Sequence, residues 1–516
     1  MPQMQMTVVW WIKRDARLAD NACLVEADRL GAAVLPLFCV EPSIIAADDC
    51  SDMHLNAQFQ AASGLRQELR NRGADLLIAH GEMVEKIAKL HRLMPFTHLF
   101  SHEEIGNNLS FRRDRAVAAW CREQGVVYRE FPQSSVRRGG VNRDRLHRQW
   151  TDRIVGQTPL PVPAIRFPDS VRPLCASTGF PKLAAFTHKA SWQPVSEADA
   201  QTTLIDFLAR RGYRYRGGIS SPNTAFTAGS RLSVHLAWGT ITVRQLWHAT
   251  QERLSTLDPA DPESDRWKKS LRGFVSRLHW RDHFVQRLES ESELEFQSIH
   301  PSYRDVPYEN NQRLHFAWCR GLTGYPLVDA VMRCLEATGF VNFRMRAMVV
   351  SFACHVLHLD WRLIHPYLAR VFRDYDPGIH LSQLQMQAGV VGWNAIRVYN
   401  PTKQLTDWDR DCRFVKQWLP ELRGVPAERI VASDDLPNYP PPVVPFAPRA
   451  KWMTDLLYAV RKSTESKAET PAVYRRHGSR KKTRTGRKAL KRPPVDRQQS
   501  LFDTDTDTDT APEILQ

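Results

Sequence analysis

The chain has 516 residues, 42% hydrophobic and 25% charged, the proportions of a soluble globular protein with room for two or three domains. No apolar run approaches the length of a membrane span, and the N-terminus enters a strand-like segment with no signal-peptide pattern, so neither a membrane protein nor a secreted one is expected. The nine cysteines include no Cys-x-x-Cys pair, which fits reduced thiols in the cytosol, and the net charge of +15 points to a polyanionic partner.

Residues 7–131 alternate short apolar runs with amphipathic stretches. The predicted strands are Val8–Ile12, Ala33–Val40, Ala74–Ala79, Thr97–Ser101 and Val126–Phe131, with helical stretches such as Asn56–Arg72 and Ser110–Gln124 between them. This alternation predicts an α/β domain over 1–136 with a parallel, doubly wound sheet. Prolines then accumulate (Pro159, Pro161, Pro163, Pro168, Pro173, Pro181, Pro194), so 137–197 reads as a surface connector. From 198 to 462 the period is helical. Leu327, Val331 and Leu335 fall on one face, with Pro326 in the first turn and Gly339 just past the end, which predicts an all-α domain. Cys319, Cys334, Cys354 and Cys412 match no cluster-ligand spacing, and no metal is expected.

Residues 463–516 read as a disordered tail. Its segment 475–497 holds eleven Lys or Arg and one acid, while the last nineteen residues hold five acids and no base. These contribute +10 and −5, which leaves the other 474 residues at +10, so the body is basic without its tail. A basic arm of this kind suits DNA or RNA phosphates, with binding that weakens steeply with salt.

The helical half also carries motifs that periodicity does not require. Gly229-Ser230-Arg231-Leu232-Ser233 precedes Leu236-Ala-Trp238-Gly239, with Tyr215 and Pro222 upstream. Small hydroxyl residues and free N–H groups at a helix start suit a pyrophosphate, although an ordinary Ser-capped helix reads the same way. Further on come Trp280-Arg281, Gly324-Tyr-Pro-Leu-Val-Asp329-Ala-Val-Met-Arg333, Ala337-Thr-Gly-Phe340, Arg344-Met-Arg346, Asp360-Trp361-Arg362, Asp374-Tyr-Asp376, Tyr399-Asn-Pro401 and Trp418-Leu-Pro-Glu-Leu422. With Trp10-Trp-Ile-Lys-Arg14-Asp15-Ala-Arg17-Leu-Ala-Asp20-Asn21 at the start, this series resembles the photolyase/cryptochrome family over roughly residues 7–422.

The resemblance implies an all-α FAD-binding domain. The pyrophosphate would lie on Gly229, Ser230, Arg231, Leu232 and Ser233, with Tyr215 and Arg281 in the same pocket. Arg346 and Asp374 would sit against the flavin ring with Asp376 close by, because an anionic flavin in an apolar pocket needs a cation and an acceptor for its ring N–H. A plain interhelical salt bridge is the alternative. His380 falls where relatives face the flavin N5 and would govern protonation there, unless it is only a helix-terminal histidine.

Several positions depart from the family pattern. Trp361 matches the middle of the aromatic row that passes electrons to the flavin, but the flavin-proximal Trp aligns with Leu384 and the surface member with Tyr308, so the row is broken. In the lesion pocket a stacking residue is kept as Trp280, whereas the expected Glu aligns with Arg277, the Asn with Phe343 and a second Trp with Met386. The paired histidines of (6-4) photolyases would fall near Asn342 and are absent. Trp280, Phe343 and Met386 form an apolar wall for stacked bases. Arg277 and Arg344 suit phosphate, or else belong to a solvated basic face. The Glu that many relatives use for a folate antenna aligns with Ser110, which leaves the antenna unassigned.

The expected function is blue-light electron transfer from reduced FAD to UV-damaged DNA, single strands included, in a cytoplasmic, nucleoid-associated protein. Trp361, His380 and Trp280 would be the catalytic residues. A cryptochrome-like photoreceptor without repair is the second reading, and a flavin-free nucleic-acid module the third. Gln498-Gln-Ser500-Leu501-Phe502 resembles the peptide by which bacterial proteins dock on the sliding clamp, a polar anchor followed by an apolar pair on a polar tether.

Overall fold

The computed structural model describes residues 6–139, 142–181, 192–433 and 436–479. Five strands, β1 (Thr7–Ile12), β2 (Ala33–Val40), β3 (Leu77–His80), β4 (His98–His102) and β5 (Val127–Phe131), form one parallel sheet in the order β3-β2-β1-β4-β5. The central strand explains the continuous apolar run. Val8, Trp10 and Ile12 pack into the core on one face, and Val9 and Trp11 into the core on the other. Ala74–Ala79 was expected as the third strand, but pairing begins only at Leu77. The Asp75 carboxylate accepts from Arg66 Nε at 2.7 Å, from Arg70 Nη2 at 3.1 Å and from the Leu76 N–H at 2.7 Å, which ties 74–76 to the preceding helix instead.

The remainder is helical. Pro326 opens the helix Pro326–Thr338 and Gly339, in the left-handed region, closes it, as the sequence predicts. The helices that carry the candidate site are Ser264–Ser290, Phe343–His355, Trp361–Val371 and Pro377–Ala388. One correction concerns the tail. Order does not end at 462, because Thr464–His477 forms a further helix held by hydrogen bonds rather than by an apolar stripe.

The opening motif clasps the two domains together. Arg14 Nη1 donates to the Tyr375 carbonyl at 2.9 Å, and Arg17, 1% exposed, donates to the Gly239 carbonyl at 2.9 Å. Asp20 accepts from Thr242 Oγ1 at 2.6 Å and from Arg244 Nε at 3.0 Å. Burial pushes the Asp20 carboxyl up, but Arg244 and Thr242 outweigh it and leave the group below the usual range, ionised. Gly239 has φ +69°, and a Cβ there would lie 1.8 Å from the Arg14 carbonyl oxygen. Gly239→Ala is therefore expected to cost about 3 kcal/mol or more, read as a clear fall in Tm. An unchanged Tm would show that the domain contact yields at this point.

Candidate functional site

Two helix starts and the turn segment Phe372–Asp376 before the second of them build the centre of the site. Arg346 lies in the first turn of Phe343–His355, while Asp376 caps Pro377–Ala388 by accepting from the Gly378 and Ile379 N–H groups at 3.1 and 3.4 Å. Arg346 grips Asp374 with both terminal nitrogens, at 2.9 and 3.0 Å, and its guanidinium lies 4.3 Å over the Phe372 ring. Burial raises the Asp374 carboxyl, but Arg346 and the Ser233 hydroxyl bring it below the usual range, so it stays ionised. Arg281 Nη2 reaches the other oxygen of Asp376 at 3.1 Å.

His380 lies one turn into its helix, with ring centroids 5.0 Å from His365, 5.3 Å from Tyr375 and 5.7 Å from Phe372. Burial first, then His365 and Arg346, drive it well below the ordinary histidine range, so the ring is neutral. It bonds the His365 backbone, and its Nε2 is buried without a protein partner.

The phosphate segment meets this centre through Ser233, which starts the short helix Ser233–Ala237 and bonds Asp374. Arg211 holds the segment open by donating to the carbonyls of Gly229, Ser230 and Thr203. Arg231 has φ +58° and places its guanidinium 4.0 Å over Phe340 and 5.0 Å over Phe226. Burial lowers Arg231 to about 10, and its Nη1 has no protein partner. Leu232 contributes backbone only, since its side chain is in the apolar core. Tyr215 packs against Phe207 and Phe274 and takes a hydrogen bond from Arg277. Arg231 Nη1, Asn342 Oδ1 and His380 Nε2 are buried polar atoms left without partners on the elements that frame the Arg346–Asp374 pair. A cofactor with phosphates and a polar ring edge fits that set of donors and acceptors.

Trp361 is fully buried, donates to Ser298 Oγ at 3.2 Å, and shares one core with Leu384 and the partly buried Tyr308. Trp280 is partly buried on Ser264–Ser290, stacked on Phe284 at 5.6 Å and 26°, with His283 edge-on at 5.2 Å. Phe343 and Met386 pack on the rim of the helical core. Arg344 is buried rather than part of an open basic face, with its guanidinium 4.3 Å over the Trp408 ring. Ser110 is also buried, its hydroxyl donating to the Asn107 carbonyl at 2.8 Å.

Sequence reasoning missed the surroundings of His380. Tyr375 stacks on His54 at 5.5 Å and donates to Asp49 at 2.8 Å, so the α/β domain closes the back of the pocket. Nothing near His380 in sequence signals His54 or Asp49, which arrive from another domain. Among the described residues, the one close grouping of metal-type donors is Asp15, Cys23 and His102. There His102 Nδ1 bonds Asp15 at 2.7 Å and Nε2 faces the Ala22 N–H at 3.3 Å, an internally satisfied neutral histidine. Gln498, Ser500, Leu501 and Phe502 lie outside the described residues.

Asp374→Asn removes the charge that balances Arg346 and is expected to leave a folded protein that has lost at least tenfold in flavin affinity, read from visible absorbance after gel filtration. Full retention would remove the pair from the cofactor site. Burial also holds His54, His355 and His365 at about 4, against roughly 6.5 in an unfolded chain. Between these values the unfolded state binds protons that the native state refuses, so stability is full above pH 6.5 and falls as the pH drops towards 4. A Tm that stayed flat across this window would contradict that account.

Comparison with known proteins gives matches to both halves of the chain. The family pattern described as the FAD binding domain of DNA photolyase matches residues 274–457, and the DNA photolyase pattern matches 8–143. The deoxyribodipyrimidine photo-lyase of Salmonella typhimurium is 30% identical over 447 residues, covering 81% of this chain and 90% of that protein. The chloroplastic/mitochondrial cryptochrome DASH of Solanum lycopersicum is 26% identical over 481 residues, covering 81% and 78%. The archaeal photolyase from Sulfolobus tokodaii, solved with two FAD molecules, superposes with a TM-score of 0.71 at 26% identity, covering 88% of this chain and all of that one. With both halves matched in order and the helical half carrying the flavin-domain pattern, the chain belongs to the photolyase/cryptochrome family of FAD flavoproteins.

Proposed function

We propose that this protein is a photolyase-type enzyme that uses blue light to repair UV-damaged DNA. The observation that carries the reading is the bidentate Arg346–Asp374 pair, backed by Ser233 and bordered by a neutral His380. When bound, reduced FAD would supply the light-driven electron transfer to the lesion. Arg346 would offset the negative charge of the ring, and Asp374, held ionised, would accept the ring N–H. Arg281, tied to Asp376, and the Gly229–Ser233 segment with Arg231 take the phosphate side. His380 keeps a proton on the nitrogen that bonds the His365 backbone and leaves Nε2 free to bond the cofactor.

Trp280 on its Phe284 support, with Phe343 and Met386, gives flipped bases an apolar surface, and Arg277 brings a cation to the same side. The basic body favours DNA as the partner, and the Salmonella relative is named as a photo-lyase.

A cryptochrome-like photoreceptor is the second reading. It is favoured by the missing aromatic step at Leu384 and by the relative named cryptochrome DASH. Light-dependent repair of a thymine-dimer oligonucleotide by protein with chemically reduced flavin separates the two, because it bypasses the broken row. Repair is expected, with at least a tenfold loss in Phe343→Ala while the flavin stays bound. Absence of turnover with flavin bound and reduced shifts the reading to another lesion or to the photoreceptor role.

A further inference from the structure

The long helix Ser264–Ser290 continues past Trp280 with a second feature on the same face. Trp280, Phe284 and Arg287 follow at i, i+4 and i+7. The Arg287 guanidinium lies 5.4 Å over Phe284 and 5.8 Å over Trp393. Arg287 is only 3% exposed, yet its Nε and Nη1 have no partner, and Nη2 donates only to the His477 carbonyl at 3.2 Å and to His283 Nε2 at 3.4 Å. Beside it, Arg143 from the connector donates Nε to the Arg476 carbonyl at 3.0 Å and Nη1 to the His283 carbonyl at 3.2 Å. Burial, then the charge of Arg143, pushes Arg287 down to about 9. Among the described residues, no carboxylate pairs with Arg287.

A buried cation of this kind is costly unless an anion meets it. What Arg287 meets is the last turn of the helix Thr464–His477, which offers the His477 carbonyl and the partial negative charge of a helix C-terminus, roughly half a charge. That leaves Nε and Nη1 of Arg287, and much of its charge, without an acceptor among the described residues. The helix itself is lightly held. Glu469 accepts from Ser302 Oγ at 2.7 Å and Thr470 Oγ1 meets His300 at 3.0 Å. Tyr474 is edge-on to Trp393 at 6.0 Å, and Arg476 pairs with Glu291 at 2.7 Å. Only Ser466 and His477 are buried and Pro471 interrupts the ladder, so its release exposes little apolar surface. It also lies beyond residue 457, where the matched flavin-domain pattern ends.

We propose that Arg287 and Arg143 form a subsite for a backbone phosphate of the bound nucleic acid, closed by the C-terminal turn of Thr464–His477, which gives way when a strand lies over Trp280. The proposal rests on the DNA reading for the identity of its ligand. Seven residues of helix separate Trp280 from Arg287, about 10 Å along the axis, short enough for the backbone of the strand whose base stacks on Trp280. A phosphate brings the full negative charge and the multiple acceptors that the helix end lacks, and guanidinium groups match its geometry.

The test uses full-length protein and a labelled oligothymidylate, with affinity followed by anisotropy across a salt series and hydrogen exchange followed over 464–477. Oligomer binding is expected to speed exchange in 464–477. Arg287→Gln should weaken binding about tenfold and lower the salt slope by about one, and Arg287→Lys should restore the slope. Glu469→Ala loosens the helix from the opposite side and should tighten binding severalfold, so the proposal stays testable even where Arg287→Gln does not fold. Unchanged affinity and slope in Arg287→Gln, or exchange in 464–477 indifferent to saturating oligomer, overturns it. Should the wild type bind no oligomer, inorganic pyrophosphate is the second probe. Exchange in 464–477 that pyrophosphate speeds in wild type but not in Arg287→Gln keeps the anion site and rejects only DNA as its ligand; no response to either probe rejects the site.

Discussion

Both domains grip the five residues Phe372–Asp376. From the α/β side, Arg14 binds the Tyr375 carbonyl, His54 the Phe372 carbonyl at 3.0 Å, and Arg373 reaches back to the Met53 carbonyl and Asn56 at 2.9 and 2.8 Å. From the helical side, Arg346 takes Asp374 and Arg281 takes Asp376, which in turn starts the helix that carries His380. One short segment therefore sets the ring-side charge, the position of the histidine and the distance between the domains. The clasp at Arg17 and Asp20 secures the same junction one layer away, through Gly239 and Thr242. Under the proposed function, the flavin pocket is an interdomain product, although its motifs all lie in the helical half.

The same junction explains how a carboxylate and a histidine a few residues apart keep opposite behaviours. Asp374 is buried, which alone would protonate it, but a bidentate guanidinium outweighs that cost. His380 is buried too, and there the Arg346 charge works in the same direction as desolvation, against a proton. One cation thus fixes both states, charged for the carboxylate and neutral for the imidazole. Under the proposed function, this combination lets the site hold an anionic ring without also presenting it with an acid.

The sheet was legible because a central parallel strand, buried on both faces, has to be a continuous apolar run, as Thr7–Ile12 is. The helix Pro326–Thr338 was legible because its Pro and Gly punctuation agrees with its apolar spacing. The Arg346–Asp374 pair came from resemblance, and the geometry then brought the two side chains together. Three features were not readable from local sequence. The extension of order to His477 depends on hydrogen bonds to Ser302, His300 and Glu291, and a polar helix with an internal proline has no stripe to announce it. The company of His54 and Asp49 around His380 is a contact across more than three hundred residues. Arg14, Arg17 and Asp20 were visible as a motif, but their work as a clasp appears only once the helical domain stands opposite them.

The altered lesion pocket also bears on how a substrate is chosen. Polar groups that read base edges discriminate strongly, because a mismatched partner leaves them buried and unsatisfied. Phe343 and Met386 cannot read an edge, and Arg277 is already engaged with Tyr215. Under the proposed function, affinity in this pocket comes from stacking against Trp280 and its neighbours, which tolerates any base with a flat face. Discrimination must then come from the cost of bringing bases out of the helix, which is lowest where pairing is already lost or distorted. A pocket of this composition suits damaged or single-stranded segments, where the extrusion cost is small, better than a lesion recognised by its hydrogen-bonding edge.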